Sequence, residues 1–523
     1  MKKKLFNLLF CCQVLALTTV MAQHDVVKKP NVIIILADDM GYGDVSSNNP
    51  SARTNTPNID RMAQQSIVFT DAHSGGAVCT PSRYGLITGR YYFRVPQRHD
   101  FLGYLPPLIE EGRETIGALM QRAGYTTAAV GKWHLGLNWQ LKDSSKPQIP
   151  TLQDKTATNT DFTKNVTCGP NSLGFSYSYL LPASLDMPPY TFVKNNNVVD
   201  PDVMLTANAY PKTLPATNFV WDRKYTNEND VYWERGVWWR NGEMSRSFKM
   251  ENCLDTLVEQ GLSFIEDQTK ANPQKPFMLY LALTGPHTPW LPNKQFKGSS
   301  NMGTYGDFIA QVDNYVAQVN AKLKQLKIED NTIVIFTSDN GAPWAEDDIQ
   351  VYSHQSNFTR RGQKGDIWDG GHRVPLIIQW PNQIKERFVY TQTVSLIDFM
   401  ATFSELTRQP IKKSYGEDSY SFYKVIKDRA ATPIRDEIIY ISSRNMLAIK
   451  KGNWKFIDGL GSGGFTEPAK LKPVEGGPLG QLYNLETDPL EKNNLYLQYP
   501  AKVKELMTQL YKLKAQGYSK PTQ

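Results

Sequence analysis

The run Asn31 to Ala37 (NVIIILA) constrains this chain more than any other segment. It is apolar at every position after Asn31, with the β-branched residues Val32, Ile33, Ile34 and Ile35 in succession. Neither a one-sided strand nor a surface helix reads this way. Such a run suits a strand covered on both faces, as in a parallel sheet sandwiched by helices. Asp38 and Asp39 follow directly at its carboxyl end. Further along, helices are predicted over 57–65, 81–89, 114–123, 254–269 and 305–326, alternating with strands over 125–130, 277–283 and 332–336. This alternation predicts an α/β fold with a large, mostly parallel sheet between helical layers. From about Glu405 the pattern changes to short strands over 437–441, 446–450 and 454–457, with a terminal helix after Pro500. A smaller C-terminal α+β domain with an antiparallel sheet is expected there. No internal repeat or low-complexity segment occurs.

The amino terminus reads as a secretory leader over 1–22, basic at Lys2 to Lys4, mostly apolar from Leu5 to Val20, and ending on small Ala22. The product is therefore expected to be exported, periplasmic or extracellular, beginning at Gln23, followed by a large domain over 23–404 and a smaller one over 405–523. No later segment is apolar for the roughly 20 residues a membrane span needs. The 58 basic and 51 acidic residues give +7, or +4 once Lys2, Lys3 and Lys4 are set aside, which is no nucleic-acid signature. Beyond the leader only Cys79, Cys168 and Cys253 remain. In an oxidising compartment Cys168 and Cys253 either pair or stay as buried thiols.

In open α/β sheets ligands gather beyond the carboxyl ends of the strands. Four groups sit there: Asp38-Asp39, Lys132-Trp133-His134, Thr284 to His287, and Ser338-Asp339-Asn340. Asp38, Asp39, Asp339 and Asn340 form an all-oxygen set suited to calcium or magnesium, although Asp and Asn also favour turns. Pro81 suits a first helical turn, which places Cys79 at a helix entrance with Arg83 one turn on. Free backbone donors and a guanidinium fork make this an anion site containing a sulfur. Cys79 alone would be an activated thiolate or a small buried hydrophobe.

The motif around it is more specific. Cys79-x-Pro81-Ser82-Arg83 followed by Leu86-x-Thr88-Gly89 resembles the signature of the type I sulfatases, members of the alkaline phosphatase-like superfamily. Gly131 to Gly136, Thr337 to Gly341, Gly362 to Gly365 with Gly370 to Pro375, and Leu482 to Pro489 resemble further motifs of that family. The resemblance spans about Asn31 to Asn494, with the Asn- and aromatic-rich excursion over 138–252 the least matched. It implies that Cys79 is converted to formylglycine by a maturation enzyme, and that one calcium ion is held by Asp38, Asp39, Asp339, Asn340 and the modified Cys79. It implies sulfate contacts for Arg83, Lys132 and Lys364, and an acid/base pair in His134 and His287. A hydrated aldehyde suits this chemistry because it offers a neutral hydroxyl to an anionic ester, whereas a thiolate would be repelled.

The segment Ala183 to Tyr190 resembles carbohydrate sulfatases of the arylsulfatase A and N-acetylgalactosamine sulfatase kind. The expected substrates are glycans bearing 4-O- or 6-O-sulfate on galactose or N-acetylgalactosamine. His73, Asp186, Trp290 and His372 flank the motifs and are candidate sugar contacts. Tyr190, Trp290 and the cluster Tyr232, Trp233, Trp238 and Trp239 suit stacking on sugars, or core packing equally. Two alternatives stand beside this reading. A phosphodiester or phosphonate hydrolase of the same superfamily would want more metal-binding histidines than the seven in this chain. A catalytically silent glycan binder would have no use for the intact motif residues.

Overall fold

The central strand Asn31–Ala37 pairs in parallel with Phe277–Ala282 on one side and Thr332–Ser338 on the other. Its side chains alternate between two hydrophobic cores: Val32, Ile34 and Leu36 enter one, Ile33, Ile35 and Ala37 the other. Both faces are buried, which is why the run carries no polar alternation. The computed structural model describes residues 28–96, 103–148, 157–209, 236, 239–412 and 414–520. The expected leader, and Tyr232, Trp233 and Trp238, lie outside these described residues.

The main sheet has ten strands. Its parallel centre runs Thr332–Ser338, Asn31–Ala37, Phe277–Ala282, Thr126–Lys132, Tyr177–Leu181. Leu376–Gln379 and Ser66–Phe69 add antiparallel pairings on one flank. The register is what matters for function. Leu36 lies level with Thr337 and with Ala282, and Ala282 with Gly131. Asp38, Asp339, Lys132 and the loop to His287 therefore leave the sheet at one height. Gly131 has φ +113, and a Cβ there would meet the Ala282 carbonyl oxygen at 1.8 Å, so only glycine lets these strands close up just before Lys132.

The α/β architecture and the predicted elements are present, with shifted ends. The helix expected from 81 begins at Cys79 and runs Cys79–Thr88. The excursion is partly sheet: Tyr177–Leu181 extends the parallel order, and Val193–Lys194 and Asn197–Val198 add an antiparallel margin. At the C-terminal end a separate four-stranded antiparallel meander contains Glu437–Ile441, Leu447–Lys451, Trp454–Ile457 and Gln481–Asn484, with helix Pro500–Ala515 packed on its middle strands. Cys79, Cys168 and Cys253 are all free, so the pairing considered for Cys168 and Cys253 is absent. Cys253 is buried at the start of helix Cys253–Ala271, whereas Cys168 is half-buried with its sulfur 3.4 Å from Ser172 Oγ. No helix among the described residues is long and apolar enough to cross a membrane.

Candidate active site

Helix Cys79–Thr88 is buried along its whole length. It points its first turn at the strand ends, so Cys79 and Arg83 meet the groups leaving the sheet. Arg83 is fully buried, with Nε and Nη2 donating to Asp339 Oδ2 at 3.0 and 2.7 Å and Nη1 to the Lys132 carbonyl at 2.9 Å. Lys132 Nζ reaches both Asp38 oxygens, at 3.0 and 2.7 Å, and the Cys79 sulfur at 3.4 Å. Lys364 Nζ donates to Asp39 Oδ2 at 2.7 Å. His287 Nε2 lies 3.5 Å from that same oxygen, and its Nδ1 is 2.5 Å from the Thr288 carbonyl. Asp39 and His134 both have positive φ, +67 and +57, conformations that side-chain-bearing residues hold only where surrounding structure fixes them. His134 is fixed by its N–H to Pro182 O, and by Thr80 Oγ1 donating to its carbonyl.

Three carboxylates, Asp38, Asp39 and Asp339, thus face three cations, Arg83, Lys132 and Lys364, out of water. Burial pushes the Asp38 carboxyl up, but Lys132, His287 and Arg83 outweigh it and hold Asp38 below the usual carboxylate value. Burial works against the charge of Lys132, Lys364 and Arg83, yet their carboxylate partners raise all three. Burial pushes the Cys79 thiol far up despite Lys132 and Lys364. Burial thus weighs against the thiolate option left open by the sequence.

Potential metal-ligand atoms, two carboxylate oxygens with a sulfur and an imidazole nitrogen, converge between these groups. Asp38, Asp39, Cys79 and His287 each present a ligand atom within 4.8 Å of the others, the one such group among the described residues. Asn340 Nδ2 donates to Asp39 Oδ1 at 2.7 Å, leaving Asn340 Oδ1 buried without a donor. An orphaned amide oxygen beside carboxylates is what a hard cation would satisfy, so the residues fit calcium. Asp339 is engaged on both sides, Oδ2 by Arg83 and Oδ1 by the Asp39 N–H at 3.1 Å, which leaves lone pairs on Oδ1.

The cluster floors a cavity of about 900 Å³. Asp39, Cys79, His134, His287 and Lys364 line it, as do Asp186 and Trp290 from the candidate sugar contacts. Asp186 is buried and paired with Arg240 at 2.6 Å, with its other oxygen 3.9 Å from His287 Nδ1. Burial pushes the Asp186 carboxyl up, but His287 and Arg240 keep it well below its usual range. His73 and His372 correct the expectation. Both are 0% exposed and absent from the cavity wall, their Nδ1 atoms 3.0 Å apart. His73 is held by Asp71, and His372 stacks on Tyr440 with ring centroids 3.9 Å apart. They brace the main body against the C-terminal sheet, adjacent in sequence to the motifs but not in space to the substrate side. Tyr190 and Trp239 are buried core residues.

Several cavity residues were missed by sequence reasoning. Arg240 comes from the excursion, and Ser443, Phe465, Thr466 and Glu467 come from the C-terminal region. The last group is tied to Lys364 through buried Asp366, which accepts from the backbone N–H of Gln363, Phe465 and Thr466 at 3.0, 2.8 and 3.0 Å. The glycine-rich stretch Gly459 to Gly464 was the available signal for a loop there.

The family model described as Sulfatase matches residues 30–409. An N-acetylgalactosamine-6-O-sulfatase of Bacteroides thetaiotaomicron is 33% identical over 510 residues, 93% of each chain. A solved structure from the same organism, titled for its metabolism of multiple glycosaminoglycans, has TM-score 0.77 and 30% identity over 93% of this chain and 100% of its own. A phosphonate monoester hydrolase of Agrobacterium radiobacter has TM-score 0.57 at 17% identity, covering 93% of this chain and 96% of its own, a likeness of fold alone.

Proposed function

This chain belongs to the Sulfatase family and is a sulfuric ester hydrolase, and on that premise we propose that it is an exported enzyme removing 6-O-sulfate from galactose or N-acetylgalactosamine residues of glycans. The observation that carries the reading is the contact of Cys79 with Lys132 and Asp38 on the floor of a cavity large enough for a sugar. The 6-O position follows the specificity named for the bacterial relative that aligns along almost the whole chain. Export rests on the secretory leader expected from the sequence over 1–22.

Asp38, Asp39, Asp339, Asn340 and position 79 would hold the calcium ion, which when bound neutralises charge on the sulfate oxygens and acidifies a neighbouring hydroxyl. Cys79 matured to formylglycine would carry that hydroxyl. The remaining work falls to side chains whose positions are fixed. Lys364 lines the cavity and Lys132, buried beneath it, touches the Cys79 sulfur, so both ammonium groups would stabilise charge developing on the departing sulfate. Arg83 holds Asp339 and the Lys132 backbone in place and adds to the positive field. His287 is oriented by its Nδ1 contact to the Thr288 carbonyl, which leaves Nε2 to deliver a proton to the sugar oxygen. His134, which also lines the cavity, would take the proton from the second hydroxyl as sulfate leaves.

Two predictions arise here. His287→Ala is expected to lower kcat on sugar sulfates by about 10²–10⁴-fold, the usual weight of a general acid. On 4-nitrophenyl sulfate, whose leaving oxygen needs no proton, the loss should be about tenfold or less; equal losses on both substrates would remove the acid role. The second concerns charge. The three carboxylates and three cations balance without a metal, so a divalent cation leaves a net positive nest that attracts sulfate. Chelation should abolish turnover and weaken the binding of inorganic sulfate read by calorimetry, and calcium should restore both. Turnover retained after exhaustive chelation would rule the cation out.

The functional reading is tested with the 6-O-sulfate, 4-O-sulfate and 6-phosphate of N-acetylgalactosamine under one set of conditions. The 6-O-sulfate is expected to lead by at least about tenfold in kcat/KM. A leading phosphate would favour the phosphate-ester alternative, and binding without sulfate release the silent binder.

A further inference from the structure

A second hollow of about 640 Å³ adjoins the cavity and shares with it a wall of Ala345, Glu346, Thr466 and Glu467. A glycan whose sulfated residue occupies the cavity has room there for its neighbour. The hollow is lined by three basic side chains, Arg360, Arg361 and Lys492. Arg361 is committed: its guanidinium stacks 3.6 Å over the Trp368 ring and donates to the Glu491 carbonyl. Arg360 is not. Among the described residues its one side-chain hydrogen bond is a 3.5 Å contact to the Thr359 carbonyl, and its buried Nε meets no acceptor. Among the described residues no carboxylate lies within ion-pair distance of Arg360 or Lys492. Of the two shared-wall carboxylates, Glu346 and Glu467, the latter turns to Arg444, at 3.7 Å. Burial and the like charge of Arg373 outweigh the more distant carboxylates Asp369 and Asp71 and hold the Arg360 guanidinium below its usual pKa.

A half-buried guanidinium with free donors, beside an exposed ammonium and an aromatic wall, suits a planar or tetrahedral oxyanion carried on a ring. We propose that this hollow is a subsite for a negatively charged sugar, bearing a uronate carboxylate or a second sulfate ester, next to the residue that is desulfated. The proposal rests on the sulfatase reading for the direction of the chain, and its binding chemistry is testable without turnover.

The test uses the full chain and calorimetric titration with three trisaccharides lacking the scissile sulfate: one with a flanking uronate, one with a flanking sulfate, one with a neutral flanking sugar. Wild type should bind at least one charged ligand about tenfold more tightly than the neutral one, the scale of one charge-assisted hydrogen bond, and the arm that gains identifies the anion. Arg360→Gln should erase most of that ratio and Arg360→Lys should keep part of it. Lys492→Gln, at an exposed position with no fold to disturb, should reduce it independently. The kcat/KM ratio between substrates with charged and neutral neighbours should fall in parallel. Equal wild-type affinity for charged and neutral ligands, or a ratio unchanged in both glutamine variants, overturns the proposal. Charge-dependent binding without sulfate release from any substrate overturns the sulfatase reading and leaves the subsite standing.

Discussion

Cys79→Ala should abolish sulfate release, by about 10⁴-fold or more, as removal of a nucleophile from a cooperating site does. The unmodified thiol is a poor substitute, since burial disfavours its thiolate even with Lys132 3.4 Å away and a single sulfur lacks the second hydroxyl of the hydrated aldehyde. The fold should survive, because the substitution removes only a small side-chain atom from a helix held by many other contacts, at about 1 kcal/mol. Urea unfolding and sulfate release, measured on the same preparations, separate the two effects. Cys79→Ser adds a second check: a serine hydroxyl occupies the position but lacks the second hydroxyl from which His134 would take a proton, so turnover should stall after at most one cycle. Substantial multiple turnover by either variant would refute the formylglycine chemistry.

Arg83→Met should be the most damaging substitution for stability. It leaves Asp339, 0% exposed, without its two-pronged partner, and breaking a buried pair from one side costs about 3–5 kcal/mol. The sign of the metal effect discriminates further. In chelator the full cost should appear as a lower urea midpoint, whereas with calcium a second source of positive charge beside Asp339 should reduce it. With calcium present, turnover should fall by about 10²–10³-fold, through lost stabilisation of developing charge. Wild-type stability in both conditions would mean that the buried charges are not balanced in the way the distances indicate.

The sheet and most of the nest were legible in the sequence because both are written locally. NVIIILA reads as a doubly covered strand, and Asp38, Lys132, His287 and Asp339 lie at or beyond the carboxyl ends of strands of one parallel sheet, so register brings them level. What was not legible depends on pairings distant in sequence. Asp366 binds residues about 100 positions away, and through them carries Phe465, Thr466 and Glu467 to the cavity. Nothing in the local pattern of either segment states that contact. His73 and His372 failed for the converse reason: they adjoin motif residues along the chain but turn to the opposite side, into a buried network with Asp71, Asp369 and Lys455. The antiparallel flank of Ser66–Phe69 and Leu376–Gln379 went unread because each strand is four residues long, too short for periodicity to distinguish from a loop.

The chemistry is tested most directly by the mass of the tryptic peptide Met62 to Arg83 from a preparation that releases sulfate from a 6-O-sulfated sugar. The peptide should carry an aldehyde or its hydrate at position 79, with sulfur exchanged for oxygen. An active preparation in which position 79 is entirely cysteine would contradict the mechanism, since the buried thiol has no means of performing it.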